Sequence, residues 1–202
     1  MDVELLVDAR AITGEGPVWD ERDDCLYWVD IMGSQVHRFD PASGKDTITE
    51  TGKHTGAVIP RASGGFILAT VDGFDILHAD GQIIHLLDVG ADDPDTRMND
   101  AKCDSNGRLF AGTMRYDFAK GGGALYRLDP DGSVRAVVED VTVSNGTDWN
   151  LANDTMYYVD SLTGRIDAFD YDPETGDISS RRKLVEIAED LGAPDGLTVD
   201  AE

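Results

Sequence analysis

Residues that could ligate a hard cation recur at one position of a repeated unit. Glu15, Asn99, Asn145 and Asp195 are each followed five residues later by an Asp or an Asn. They are spaced by 84, 46 and 50 residues. The first spacing equals two periods of 42, and the position between them is Ala57, which has no side chain that could bind a cation. Carboxylate and amide oxygens are the ligands that Ca²⁺ takes in proteins. Equivalent positions of a radial repeat converge on one axis, so the spacing predicts a cluster of oxygen ligands.

Short β-type segments separated by turn residues must position these side chains. Residues 25–31 and 35–40 predict one hairpin, and residues 156–161 and 165–172 predict another. The two hairpins align without a gap at a constant offset of 130 residues. Matched pairs include Trp19 with Trp149, Tyr27 with Tyr157, Asp30 with Asp160, Phe39 with Phe169 and Asp40 with Asp170. Such self-similarity is typical of a repeat fold.

Units of 42–50 residues with regular turns predict an all-β propeller. Glycine-containing turns at 41–44, 79–81, 130–132 and 173–176 close the expected hairpins, and 181–192 is expected to form a strand and then a loop. No linker or low-complexity stretch divides the chain. We therefore expect a single domain over 1–202, with about four blades, the opening of a fifth, and no C-terminal blades to close the ring.

The composition excludes several classes of function. There are 40 acidic and 17 basic residues, for a formal charge of −23. This balance argues against nucleic acid and against anionic membrane surfaces as partners. Two cysteines, Cys25 and Cys103, do not make a disulfide framework, and buried reduced thiols are expected. With no signal-type start and no long apolar stretch, the sequence predicts a cytoplasmic protein.

Other conspicuous residues have simpler interpretations. The residues five positions after each candidate ligand are predicted to form turns. Trp19 and Trp149 are expected in the core between blades. The four histidines share no spacing typical of a metal site or a catalytic triad, and we expect them to be structural or exposed. The turn residues are Asp20, Asp104, Asn150 and Asp200, and the histidines are His37, His54, His78 and His85.

Long blocks of the sequence resemble a known family. Their motifs, and the order of these motifs along the chain, resemble those of the SMP-30/gluconolactonase/regucalcin family of six-bladed β-propellers. The blocks are GEGPVWD (14–20), LYWVDI (26–31), RMNDAKCDSNGRLFAGTM (97–114), GALYRLD (123–129), VSNGTDWN (143–150), YYVDSLTGRIDAFDYD (157–172) and PDGLTVDAE (194–202). The resemblance implies that about a third of the family's usual length, roughly two blades, lies outside these residues.

The resemblance also implies roles for particular residues. One divalent metal ion would be held by Glu15, Asn145 and Asp195, and Asp195 would also serve as the catalytic proton acceptor. Arg97 and Asn99 would bind the substrate, for which a planar cationic fork suits hydroxyl and carboxylate groups. Ca²⁺ is the metal expected from all-oxygen ligation, and Zn²⁺, Mn²⁺ and Fe²⁺ are compatible with an open site that has three protein ligands.

The expected function is metal-dependent hydrolysis of a sugar lactone to the aldonic acid, by a monomer or a weak homo-oligomer. A non-enzymatic calcium-binding protein of regucalcin type is the alternative, and it would not need Arg97 and Asn99. Two further alternatives are an aryl-ester or organophosphate hydrolase on a related propeller and an inactive fragment. The function must be argued from the site, because propellers host many activities.

Overall fold

The structure, a computed structural model, describes residues 3–200. These residues form sixteen strands in four four-stranded antiparallel sheets, with two single-turn 3₁₀ helices at Ser161–Thr163 and Glu189–Leu191. The all-β prediction is confirmed. Within this range no helix is long and apolar enough to cross a membrane. Contacts divide the chain into two compact units, one up to Ala91 and one from Asp92 onward.

The first unit contains two sheets whose strands pair in sequence order. The first sheet has β1 (Gly14–Asp20), β2 (Cys25–Asp30), β3 (Gln35–Asp40) and β4 (Lys45–Glu50), and the second has β5 (Thr55–Pro60), β6 (Phe66–Thr70), β7 (Gly73–Leu77) and β8 (Ile83–Asp88). Alternate residues of β2 are buried, because successive side chains of a strand point to opposite faces. Cys25, Tyr27 and Val29 therefore pack with Phe66 and Leu68 of the second sheet in one core cluster.

The second unit repeats this arrangement with two further sheets. One has β9 (Thr96–Cys103), β10 (Leu109–Arg115), β11 (Gly123–Leu128) and β12 (Val134–Val141), and the other has β13 (Ser144–Trp149), β14 (Thr155–Asp160), β15 (Arg165–Tyr171) and β16 (Ile178–Glu186). Phe110 and Leu125 pack with Trp149, Tyr158 and Phe169 in its core. The predicted strand-then-loop at 181–192 is confirmed by β16 and the 3₁₀ turn after it.

A buried aspartate ends the second strand of both the first and the last sheet. Asp30 accepts hydrogen bonds from the backbone N–H groups of Ile12, Thr13 and Gly33, at 2.9, 2.9 and 3.1 Å. Its counterpart at the 130-residue offset, Asp160, accepts from Thr142 and Val143 at 3.1 and 3.0 Å. Each carboxylate fixes the chain that leads into the first strand of its sheet.

Several expectations about single residues can be compared with the structure. The turn role is confirmed for Asp20, Asp104 and Asn150, each of which accepts backbone N–H groups of the following turn through its side chain. Trp149 is buried as expected. The same expectation is wrong for Trp19, which is 47% exposed. Cys25 is buried, but Cys103 is exposed, so the expectation of two buried thiols is wrong for Cys103.

Asp30 gives the first testable prediction. Burial opposes its ionisation, but donation from Thr13, Ile12 and Gly33 outweighs burial and lowers the pKa of Asp30. A lowered folded pKa stabilises the protein above the unfolded value, and this contribution is lost as the pH falls through the folded pKa. Asp30→Ala should lower the free energy of unfolding by about 1–3 kcal/mol at pH 7, because three backbone N–H groups lose the charged acceptor they share.

Urea denaturation at pH 6 and pH 3 checks this prediction, with Asp30→Asn as the matched variant. The amide keeps one acceptor oxygen but cannot ionise. The difference in stability between the unsubstituted protein and Asp30→Asn should therefore shrink from pH 6 to pH 3. A difference that is the same at both pH values would show that the carboxylate charge contributes nothing.

Candidate functional site

The candidate residues lie where the first strand of each sheet departs from regular pairing. A β-bulge interrupts its ladder with the second strand in all four sheets. The interruptions fall between Glu15 and Val18, between Thr55 and Ala57, between Met98 and Ala101, and between Ser144 and Thr147. A bulge leaves residues out of the ladder and redirects side chains there, which is why bulges are common beside functional sites. Asn99 and Asn145 lie within their bulges, and Glu15 is the last paired residue before its own.

The register corrects one detail of the repeat alignment. Thr55 lies opposite Thr70 in the second sheet, as Gly14 lies opposite Asp30 in the first. The residue equivalent to Glu15 is therefore Gly56, one position before Ala57. Val58 follows Thr55 by three positions, as Thr147 follows Ser144, so the bulges are equally long and the offset from Gly14 to Thr55 is 41 residues instead of 42. Neither Gly56 nor Ala57 has a polar side chain, so the second sheet contributes no candidate ligand at this position.

Three of the predicted residues form one hydrogen-bonded chain in the second unit. Arg97 Nη1 donates to Asn99 Oδ1 at 2.7 Å, and Asn99 Nδ2 donates to Asn145 Oδ1 at 2.8 Å. Asn99 Nδ2 also donates to the carbonyl oxygen of Ser144 at 2.8 Å. Asn145 Nδ2 in turn donates to Ser161 Oγ at 2.6 Å. Sequence positions 97, 99 and 145 thus meet in space, as the repeat predicts.

Arg97 is held from two sides. Arg97 is buried, with 9% of its surface exposed. Its Nη1 atom also donates to the carbonyl oxygen of Met98 at 3.0 Å. The guanidinium carbon lies 5.9 Å from the centre of the Tyr116 ring, a distance at which a cation and an aromatic face attract each other. Burial raises the pKa of Tyr116, and the charge of Arg97 opposes this shift. Arg97 is therefore not a solvated surface arginine.

Asp195 is brought beside Asn145 by an extended segment that lies along β13. The backbone N–H of Gly146 donates to the carbonyl oxygen of Asp195 at 3.2 Å. Four residues later the N–H of Val199 donates to Asp148 Oδ2 at 2.9 Å, and the hydroxyl of Thr198 approaches the same oxygen at 3.3 Å. The Asp195 residue itself is exposed. The structure thus brings Asp195 next to the Arg97–Asn99–Asn145 chain.

Gly146 is required by this approach. A Cβ built on Gly146 would lie 2.6 Å from the backbone nitrogen of Leu197 and 2.9 Å from the carbonyl oxygen of Asp195. Neither contact is possible for a real side chain, so only glycine lets the two segments come this close. The Asn145-Gly146 pair is therefore part of a strand contact, and not the turn that an Asn-Gly pair most often forms.

Glu15, the third predicted metal ligand, belongs to the first unit. It is exposed, it lies opposite Val29 in the ladder of β1 with β2, and it precedes the bulge. Its position in its own sheet matches that of Asn145 at the 130-residue offset. The approach of Glu15 to Asn145 and Asp195 stays a prediction.

The donor atoms fit a hard cation. Asn145 Oδ1 accepts one hydrogen bond from Asn99, and a carbonyl oxygen has a second lone pair that could ligate a metal. The neighbouring Asp195 and the equivalent Glu15 would add carboxylate oxygens. An all-oxygen set of this kind suits Ca²⁺ or Mg²⁺, and carboxylates also accept Mn²⁺.

A second group of potential ligands lies in the first unit. Ligand atoms of Asp72, Asp75 and His85 lie within 4.8 Å of one another. Lys53 Nζ, however, lies 2.6 Å from Asp72 Oδ1 and 3.0 Å from Asp75 Oδ2. His85 also contacts Asp88 at 3.0 Å. The lysine already supplies a positive charge to both carboxylates, so this group forms an ion-pair network, and His85 has the structural role expected for it.

A cavity of about 360 Å³ in the first unit lies away from the candidate residues. Its walls include Asp20, Arg22, Tyr27, Arg38 and Phe66. Asp20 ends β1, whereas Glu15 lies near its start. The cavity therefore opens at the other end of the strand from the predicted ligand.

The whole chain matches known proteins. The family described as SMP-30/Gluconolactonase/LRE-like region matches residues 13–202. The chain belongs to this family. It is 40% identical over 206 residues to regucalcin of Xenopus laevis, covering 99% of this chain and 69% of that protein. It is 38% identical over 201 residues, with the same coverage, to the Bacillus subtilis protein named "Putative sugar lactone lactonase YvrE".

Solved structures of the family share the fold. A luciferin-regenerating enzyme superposes with a TM-score of 0.89 at 33% identity, over 95% of this chain and 67% of that one. A calcium-binding regucalcin from Agrobacterium tumefaciens gives 0.90 at 24% identity, over 95% and 65%. A gluconolactonase from Xanthomonas campestris gives 0.79 at 23% identity, over 94% and 67%. The last two show the fold alone, and together these structures confirm the all-β propeller class.

Sequence reasoning missed two contributors to the site. Tyr116 lies against Arg97, but it stands in a stretch, 115–123, that offered no alignment. Ser161 accepts a hydrogen bond from Asn145, and the internal repeat of the sequence contained a signal for this role. At the 130-residue offset it replaces Ile31, so a buried polar residue stands where the first repeat has a buried apolar one.

Gly146 gives a prediction about the Asp195 segment. Gly146→Ala should separate residues 195–199 from β13, since overpacking costs about 1–3 kcal/mol. The exchange of the Val199 amide proton, measured by hydrogen–deuterium exchange, should then accelerate roughly tenfold or more. Gly196→Ala is the matched control, because a Cβ there meets nothing within 4 Å. Equal exchange in the two variants would contradict the close approach.

Proposed function

We propose that the protein hydrolyses a sugar lactone to the aldonic acid in a reaction that depends on one divalent metal ion, with Ca²⁺ as the first candidate. The observation that carries the proposal is the chain Arg97–Asn99–Asn145 with Asp195 beside it. This chain joins a substrate-binding group to oxygen ligands in a family that includes proteins named as lactonases.

The ligands and the substrate-binding residues have separate tasks. Asn145 and Asp195, together with Glu15, would hold the cation through oxygen atoms. When bound, a divalent cation acts as a Lewis acid that polarises a carbonyl oxygen. The carboxylate of Asp195 would accept the proton of the water that attacks the carbonyl carbon. The ring C–O bond then breaks, and the proton is delivered to the departing ring oxygen.

Arg97 and Asn99 differ in what they can offer a sugar. Both N–H donors of the Asn99 amide are engaged, by Ser144 and by Asn145, whereas its oxygen accepts one hydrogen bond, from Arg97, and keeps a second lone pair. Asn99 would therefore accept a hydrogen bond from a sugar hydroxyl. Arg97 is a donor at every nitrogen and would donate to hydroxyl oxygens or to the developing carboxylate.

The relatives named regucalcin favour a second candidate, a calcium-binding protein without catalysis. Such a protein would keep Glu15, Asn145 and Asp195 but would have no substrate for Arg97 to bind. A buried arginine whose guanidinium is oriented by Met98, Asn99 and Tyr116 favours the enzyme. Burying such a charge is costly unless it is well partnered, and a substrate gives a reason for retaining it.

A pH-stat assay of acid release from a panel of aldonolactones tests the proposal. Activity should disappear with EDTA and return when Ca²⁺, Mn²⁺ or Zn²⁺ is added. Asn145→Ala should reduce kcat/KM by about a hundredfold or more, because even the loss of residues that only support a metal ligand costs about 10–100-fold. Unchanged hydrolysis of every lactone in the presence of EDTA would exclude a metal-dependent lactonase.

Arg97→Ala separates the two candidate functions. For the enzyme, KM should rise roughly 10–100-fold with a smaller change in kcat, since hydrogen bonds to a charged group contribute about 1.5–3 kcal/mol. For a calcium-binding protein without catalysis, Ca²⁺ affinity should be the only measurable property, and neither the unsubstituted protein nor Arg97→Ala should release acid from a lactone. Arg182→Ala is the control, because Arg182 is a half-exposed arginine of the same unit that pairs with Asp170. Identical kinetics for the two variants would remove Arg97 from the substrate site.

A further inference from the structure

The side-chain amide of Asn145 is engaged at both of its ends. Its oxygen accepts from Asn99 Nδ2 at 2.8 Å, and its nitrogen donates to Ser161 Oγ at 2.6 Å. The two ends of an amide are chemically different, because the oxygen only accepts and the nitrogen only donates. A half-turn of the amide would present NH₂ where a metal needs oxygen. The ability of Asn145 to bind a cation therefore depends on what holds its orientation.

The internal repeat provides a comparison for Ser161. At the 130-residue offset Asn145 corresponds to Glu15 and Ser161 corresponds to Ile31, with Asp30 and Asp160 making the same backbone contacts in both sheets. A carboxylate presents an oxygen whichever way it rotates, so Glu15 needs no such partner, and Ile31 is a 1% exposed apolar residue. A hydroxyl stands at this position in the sheet whose candidate ligand is an amide.

The backbone around Ser161 fixes its hydroxyl. Ser161 is 7% exposed, and its N–H donates to the carbonyl oxygen of Val143 at 3.1 Å. It begins the 3₁₀ turn Ser161–Thr163, which is closed by a bond from the Gly164 N–H to the Ser161 carbonyl oxygen at 3.2 Å. Thr163 Oγ1 donates to the carbonyl oxygen of Asp160 at 2.7 Å. The hydroxyl is thus carried by an ordered turn.

We propose that Ser161 is a positioning residue that holds the Asn145 amide with its oxygen as the metal ligand, an inference that rests on the proposed function. Arg97, which can only donate, fixes the other end of the chain by holding Asn99 Oδ1. The hydrogen-bond direction then runs from Arg97 through Asn99 and Asn145 to Ser161. Ser161 is the acceptor that terminates it.

Calcium binding measured by isothermal titration calorimetry tests the role of Ser161 without any activity assay. Ser161→Ala should raise the Kd for Ca²⁺ by about 10–100-fold, the usual effect of removing a group that orients a metal ligand. Ser161→Thr keeps the hydroxyl and should restore most of the affinity. The thermal unfolding midpoint, measured on the same samples, identifies any variant that fails to fold.

A double-mutant cycle separates orientation from general damage to the structure. In the Asn145→Asp background the ligand has two equivalent oxygens, as Glu15 does. Adding Ser161→Ala there should change the Kd for Ca²⁺ by no more than about twofold, the scatter expected between uncoupled positions. A general structural role would instead weaken binding equally in both backgrounds and would overturn the proposal.

A readout in the absence of metal completes the test. The side-chain amide proton that Asn145 donates to Ser161 Oγ, assigned by its disappearance in Asn145→Asp, should move upfield in Ser161→Ala, because it loses its acceptor. Ca²⁺ binding that is equal in the unsubstituted protein and in Ser161→Ala would overturn the role of Ser161 alone. If the unsubstituted protein binds no Ca²⁺, the proposed metal site itself fails, and the role of Ser161 fails with it.

Discussion

The hydrogen bond from Asn99 to Asn145 is the interaction on which the candidate site depends. It joins the first strands of two neighbouring sheets at the point where each strand leaves its regular ladder. The bond can form only if both bulges lie at the same level, and this requires the strands, the turns and the buried aspartates to keep the same spacing in each repeat. The regularity of the fold is thus what allows side chains 46 residues apart to meet.

Buried carboxylates account for part of the unusual acidity of the chain. Among residues 3–200 several aspartates are almost fully buried, and most of them accept backbone N–H groups or pair with an arginine, a lysine or a histidine. They are Asp20, Asp30, Asp75, Asp104, Asp160 and Asp167. A carboxylate has two oxygens that can each accept more than one bond, so a single aspartate can secure a whole turn. The negative charge of the chain is therefore carried in part by buried carboxylates with structural roles.

The repeat made much of the fold and part of the site predictable from sequence. The offset of 130 residues found the hairpins, the turn residues and the positions of Glu15 and Asn145, since side-chain periodicity and turn chemistry are local properties. The pairing register at Gly56, the exposure of Trp19 and the ion pairs of Lys53 depend on contacts between segments. No local pattern encodes those. Ser161 lies between these cases, because it can be found only by asking where two aligned repeats differ.

The segment that carries Asp195 has a consequence for how strongly a metal could bind. Residues 195–199 form no strand, and Asp195, Thr198 and Val199 hydrogen-bond to β13. Local opening costs little free energy in segments with few buried contacts. For a ligand that needs the docked form, the apparent Kd is the intrinsic Kd divided by the docked fraction. In the proposed site, the apparent affinity for the cation would therefore depend on how often residues 195–199 are docked, and the bound metal would in turn order these residues.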